Sequence, residues 1–235
     1  GKSFTVEDKL LKKIEGIQGV EIVTEVIEDY AYARYNDANQ VVTIKGVSDN
    51  FMDQKRIPET SIVEGELLLK KNGVDRALVG YGVKSTLSIA LDQDFYPLQL
   101  YYVRGVKGGS LDPSKIYTQK SIYPGGVFSI IQSFDEGFVI VPLSFAKELF
   151  NYDDKCTSIE IKTSSDYDIM HPKANSNLKL LFGFFDLPEL DKIQFSTITI
   201  PIKILNFLGN FYKKFKQIEV CLIPNDFQNF CKCYD

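Results

Sequence analysis

The chain has no tryptophan, one histidine, two methionines and four cysteines in 235 residues, and each shortage removes a class of chemistry. With His171 the sole imidazole, and followed by a proline in a polar stretch, no second ring is present to share a metal or to relay a proton to a nucleophile. No stretch of about 18 consecutive apolar residues occurs, so no segment has the pattern of a membrane-spanning helix. Basic residues are not in excess: 27 Lys and Arg stand against 31 Asp and Glu, giving a net charge of -4, which argues against nucleic acid as a partner. Cys156 stands alone in the body of the chain while Cys221, Cys231 and Cys233 crowd its end, and Cys231-Lys232-Cys233 is too closely spaced for a Cys-x-x-Cys zinc or redox pair. An extracytoplasmic disulfide and unpaired thiols both stay open, with unpaired thiols the favoured reading. The chain opens at Gly1-Lys2 with no apolar leader, as expected of an excised or processed segment.

The remaining motifs with chemical overtones also read as structure. Gly80-Tyr81-Gly82-Val83-Lys84-Ser85-Thr86 has the residue types of a phosphate loop but lacks the four residues that must separate its first glycine from Gly-Lys-Ser/Thr, so a strand-to-helix turn is expected there. Ser144 follows Pro142-Leu143 and is not in a Gly-x-Ser-x-Gly elbow. The acidic pairs Asp153-Asp154 and Glu64/Glu66 are of the kind that loops carry as solvated surface. No catalytic constellation emerges, and the expectation is a non-enzymatic domain that needs no metal and no cofactor.

What is present is an ordinary globular balance, 44% apolar and 25% charged, in a chain long enough to bury a sizeable core. Val6, Leu10, Ile14 and Ile17 form one helical stripe ending near Gly16, with Thr5 and Asp8 spaced like a capping box. Val20–Tyr35 alternates as a long strand, turns at 36–39 and returns from Gln40 to Val47. Further strands are expected at Asp75–Gly80, Phe95–Val103 and Thr157–Thr163, and a helix-compatible run at Gly82–Leu91. In the centre, Val127–Phe134 and Phe138–Val141 read as two strands of a hairpin joined by Asp135-Glu136-Gly137, and Pro142 hands the chain to a helix over Leu143–Phe150. Between Arg104 and Ile122 the chain turns polar and irregular, from Arg104 to Tyr117 above all, and reads as a projecting loop or ribbon flanked by strands. Weaker helical patterns follow Pro172 and run from Asn206 to Phe215.

Two separated signatures carry a family resemblance. One is Ser121-Ile122-Tyr123-Pro124-Gly125-Gly126-Val127-Phe128-Ser129, then Phe134-Asp135, then Val139-Ile140-Val141-Pro142-Leu143-Ser144-Phe145-Ala146. The other is Gly19-Val20, Ile44-Lys45-Gly46-Val47 and Asp49-Asn50-Phe51. In this order they resemble the extracytoplasmic domain of ABC-transporter permeases of the lipoprotein-releasing (LolC/LolE) and macrolide-exporter (MacB) type, within the FtsX-like permeases, with the lipoprotein-releasing group the nearer pattern. The resemblance fades beyond about residue 183, where a family member would continue into a second membrane helix with a Glu-Lys-Trp-like start. Divergence, an altered reading frame and a chimeric gene end stay open for that tail.

The resemblance implies an α+β fold of two subdomains. A sheet-and-helix subdomain of βαβ type, near the membrane, would be built from residues 1–55 and 152–183; a mixed, strand-rich insert would fill 56–151; and 184–235 would form a tail of its own. It implies an inner-membrane protein of which this portion is periplasmic, working with a cytoplasmic ATPase through membrane helices outside the chain and with a second permease subunit, to release lipoproteins to a periplasmic carrier. In lipoprotein-releasing relatives a hook in the place of this segment between Arg104 and Ile122 captures that carrier, which makes Leu111, Pro113, Ile116 and Tyr117 candidate contact residues. A macrolide- or peptide-export permease, a division-linked permease and a free-standing secreted binding domain are the alternatives.

Overall fold

The computed structural model describes residues 3–17, 19–91, 96–103 and 117–163, and the backbone of two later strands. In chain order these are β1 (Phe4–Thr5), α1 (Asp8–Glu15), β2 (Val20–Tyr35), β3 (Ala38–Val47), β4 (Ile62–Gly65), β5 (Lys70–Lys71), β6 (Val74–Gly80), α2 (Tyr81–Leu87), β7 (Leu98–Val103), β8 (Tyr117–Phe128), α3 (Gln132–Asp135), β9 (Phe138–Pro142), α4 (Leu143–Phe150), β10 (Lys155–Cys156), β11 (Ser158–Thr163), β12 (Phe195–Pro201) and β13 (Cys221–Pro224). Two 3₁₀ turns, Asp49–Gln54 and Glu59–Ser61, follow β3. The fold is α+β and strand-rich. It divides into two compact units, Gly1–Glu25 with Thr157–Asp235, and Val26–Cys156. Residues 26–55, assigned from sequence with 1–25 to the subdomain near the membrane, fall in the Val26–Cys156 unit, where β3 runs alongside β9.

In the first unit, β11 takes its place beside β2, pairs antiparallel with β12 from Ser158↔Pro201 to Lys162↔Thr197, and β12 pairs in turn with β13. Ile159 and Ile161 are buried, as is Ile14 on α1, while the Lys162 ammonium reaches the Glu21 carboxylate at 3.6 Å. The expected capping box is not formed. Glu7 is the N-cap and makes no side-chain cap bond, and Thr5 belongs to β1, so α1 starts on backbone geometry alone: the Leu10 and Leu11 amides donate to the Glu7 carbonyl.

The second unit is a ring of strands. β2 and β3 form a hairpin closed by Asn36 and Asp37, with Asn36 at φ +52°, a left-handed conformation that Asn tolerates better than most side chains. β3 then pairs parallel with β9, β9 antiparallel with β6, β6 parallel with β8, β8 antiparallel with β7, and β7 returns to β2 through Tyr32↔Tyr101, Ala33↔Leu100 and Arg34↔Gln99. β6 and β9 lie inside the sheet, and β9 together with the Ala77–Gly80 half of β6 is apolar because both faces are covered; Leu78, Val79, Val139, Ile140 and Val141 have no exposure. One core cluster gathers Val26, Val47, Phe51, Ile57, Leu78, Phe128 and Ile140. α2 and α4 both pack against β3.

The central hairpin expected from sequence does not exist. β8 ends at Phe128 and pairs with β6, β7 and β4, never with β9. The chain breaks because the Asp135 carboxylate accepts from the Ile130 amide at 2.8 Å and the Ser129 hydroxyl at 3.0 Å, which curls 129–135 into the short helix α3. Phe134 thereby stacks on Phe138 at 4.2 Å and meets Phe128 at 5.2 Å, so its ring joins the core by a route other than strand pairing.

Candidate functional site

Of the stretch between Arg104 and Ile122 read from sequence as a projecting loop, residues 104–116 lie outside the described residues, and 117–122 are strand and not loop, because they pair with β7 and turn Ile122 into the core. The pairing of β7 with β8 ends at Val103↔Tyr117, the described residues on either side of 104–116. Leu111, Pro113 and Ile116 lie outside the described residues; Tyr117 is the first residue of β8 and is partly exposed. On the inward side the two strands are anchored. Leu98, Leu100 and Ile122 are buried, the Tyr102 ring meets Phe150 edge-on at 4.8 Å, and the Lys120 ammonium pairs with Glu148 while lying 5.0 Å from the centre of the Phe145 ring. The ribbon of β7 and β8 is thus fixed to α4.

The outward side of the same ribbon carries tyrosines. Tyr101 touches Tyr117 at 5.9 Å and Tyr32 at 6.2 Å, and the Tyr101 hydroxyl donates to Gln99 at 3.0 Å. Tyr30 on β2 and Val103 on β7 are each about two-thirds exposed, at 66% and 67%. Tyr32 and Tyr101 escaped sequence reasoning. The signal was the alternation of β2, where Tyr30 and Tyr32 share a face with Glu28 and Arg34, whereas Ala31 and Ala33 point to the core. Such a surface offers aromatic contact and phenolic hydrogen bonds.

The residues of the two family-like signatures have a different fate: they pack. A β-carbon placed on Gly46 would lie 2.2 Å from that of Ala146, so only glycine lets α4 approach β3 this closely. A β-carbon on Gly80 would lie 2.2 Å from the Asp135 carbonyl oxygen. Gly80 is therefore a packing glycine at the N-cap of α2, the strand-to-helix turn expected from its spacing, and the Lys84 ammonium is held by Glu64 at 2.7 Å. Beside that pair is a cleft of about 470 Å³ lined by Glu64, Gly65, Lys84, Ile89, Ala90 and Leu91.

Among the described residues no group of three or more His, Cys, Asp or Glu side chains is arranged to hold a metal, and no helix is long and apolar enough to cross a membrane. Cys156 is a buried thiol. His171, Cys231, Cys233, the helical patterns after Pro172 and at Asn206–Phe215, and the side chain of Cys221 lie outside the described residues.

No protein-family model matches the chain, and no curated protein matches its sequence. Solved structures with a similar course of the chain include the extracellular domain of the noncanonic ABC-type transporter YknZ from Gram-positive bacteria, at TM-score 0.49 and 15% identity over 77% of this chain and 86% of that one. The periplasmic region of MacB from Actinobacillus actinomycetemcomitans gives 0.47 and 13% over 86% and 82%. A domain of a putative permease protein from Porphyromonas gingivalis gives 0.41 and 16% over 66% of each chain.

Proposed function

We propose that this chain is the extracytoplasmic domain of an ABC-transporter permease, and more finely of the type that releases lipoproteins from the inner membrane to a periplasmic carrier. The observation that carries the reading is the convergence of the two sequence signatures. Ile44–Val47 and Val139–Pro142, far apart in the chain, lie side by side as parallel strands, and Gly46 of one signature seats Ala146 of the other. Residues that resemble a family pattern separately thus meet in one packed contact, as they must if the pattern belongs to a shared fold.

In this reading the domain moves and does not catalyse. A cytoplasmic ATPase and a second permease subunit act on it through membrane helices outside the chain, and ATP never touches it. Nucleotide-driven movement changes its grip on cargo or carrier, which requires contacts that differ between two states. The ribbon of β7 and β8, with Leu111, Pro113, Ile116 and Tyr117 at and within its loop, is the proposed contact.

The test is capture from the periplasmic fraction of the source cell by the immobilised chain, beside a Leu111→Ala/Ile116→Ala/Tyr117→Ala variant, with bound proteins identified by mass. A lipoprotein carrier retained by the wild type and lost by the variant is the expected result. A carrier held equally by both removes the loop from the account and keeps the function. No carrier at all, from a folded domain, transfers the reading to an export or division-type permease or to a secreted binding domain.

A further inference from the structure

The chain passes between its two compact units twice, at Glu25/Val26 and at Cys156/Thr157. Just inside the first crossing lies Asp29 and just inside the second lies Tyr152, both within the Val26–Cys156 unit. The Tyr152 hydroxyl donates to Asp29 Oδ2 at 2.9 Å, although 123 positions separate the two residues in sequence. Neither partner is placed loosely. Asp29 is buried on β2, with Oδ1 accepting from the Tyr30 amide at 2.9 Å. Tyr152 is set by the end of α4: Asn151 turns into the left-handed region at φ +55°, the Tyr152 amide donates to the Lys147 carbonyl at 2.9 Å, and its ring lies 5.7 Å from Phe150. Phe150 itself meets Tyr102 of β7.

We propose that the Tyr152–Asp29 hydrogen bond is a latch that ties the outgoing segment of the Val26–Cys156 unit to the incoming one, so that the two open together and never one at a time. Segments at the limits of a folded unit ordinarily fray independently, each with its own small opening free energy. A hydrogen bond to a carboxylate is among the stronger kinds, and this one spans both limits at once. Burial, and after it the bond to Asp29, push the Tyr152 hydroxyl well above its ordinary range, so it stays a protonated donor through neutral and mildly alkaline pH. The latch goes beyond the transport reading and holds whatever the domain binds.

Amide hydrogen exchange on the whole chain tests it. With small additions of denaturant, peptides covering residues 26–31 and 150–156 of the wild type are expected to share a single opening free energy and a single denaturant slope. In Tyr152→Phe both peptides are expected to exchange about tenfold faster, the loss of one hydrogen bond to a charged group, while those over Leu78–Gly80 and Val139–Val141 keep their protection. Loosening of one segment alone, or of neither, overturns the latch. Should Tyr152→Phe fail to fold, the wild-type series decides by itself: two separate openings with different slopes overturn it.

Discussion

Gly46 and Ala146 show at the scale of single residues why a sequence pattern can specify a fold and stay silent on cargo. Each is small because the other is near, and neither reaches the surface. Gly46→Ala is expected to destabilise the chain by about 1–3 kcal/mol, the usual cost of forcing extra volume into a packed contact. Adding Ala146→Gly should return part of that loss, because the two sites share one space and their effects are not additive. Urea denaturation of the two single variants and the double checks this: a double variant that merely sums the losses contradicts the packing account. Gly80 and Asp135 belong to the same class, since a side chain at Gly80 would strike the Asp135 backbone.

At the scale of elements, the long strand and the central helix were legible from their apolar spacing, whereas the Thr5/Asp8 capping box read from spacing is not formed. β2 spans Val20–Tyr35 and α4 spans Leu143–Phe150 as their apolar spacing dictates, and the turn of the first hairpin falls on Asn36 and Asp37. The hairpin read across 127–141 was illegible because Ile130, Ile131 and Phe134 have strand-like side chains, whereas the decision rests with one carboxylate, Asp135, capturing the Ile130 amide. The closed ring of strands was illegible for a related reason: β3 with β9 and β2 with β7 are pairings between distant segments, to which no local period responds. Of the candidate contact residues only Tyr117 falls among the described ones, and its neighbours Tyr32 and Tyr101 come from strands that sequence order does not place together. The ribbon also allows a prediction of its own. Because Val103 and Tyr117 already face each other, replacing residues 104–116 by Asn-Gly should close a two-residue hairpin. The anchors Tyr102–Phe150 and Lys120–Glu148 lie outside the replaced stretch, so thermal stability should hold to within about 1 kcal/mol while carrier capture is lost. A variant that unfolds would place the loop inside the fold's own support.

At the scale of the whole molecule, the described residues supply buried glycines at the tightest contacts, a ring of strands in the Val26–Cys156 unit, and an aromatic ribbon on that ring. The proposed transport role therefore turns on a partner. The most direct measurement is purification of the full-length parent protein from detergent-solubilised membranes of the source cell, followed by identification of what travels with it. The account predicts recovery from the membrane fraction together with a nucleotide-hydrolysing subunit in stoichiometric amount, and a gene in which an apolar segment of about 20 residues precedes the first helix. Recovery from the soluble extracytoplasmic fraction, with a cleaved signal and no ATPase, would contradict it.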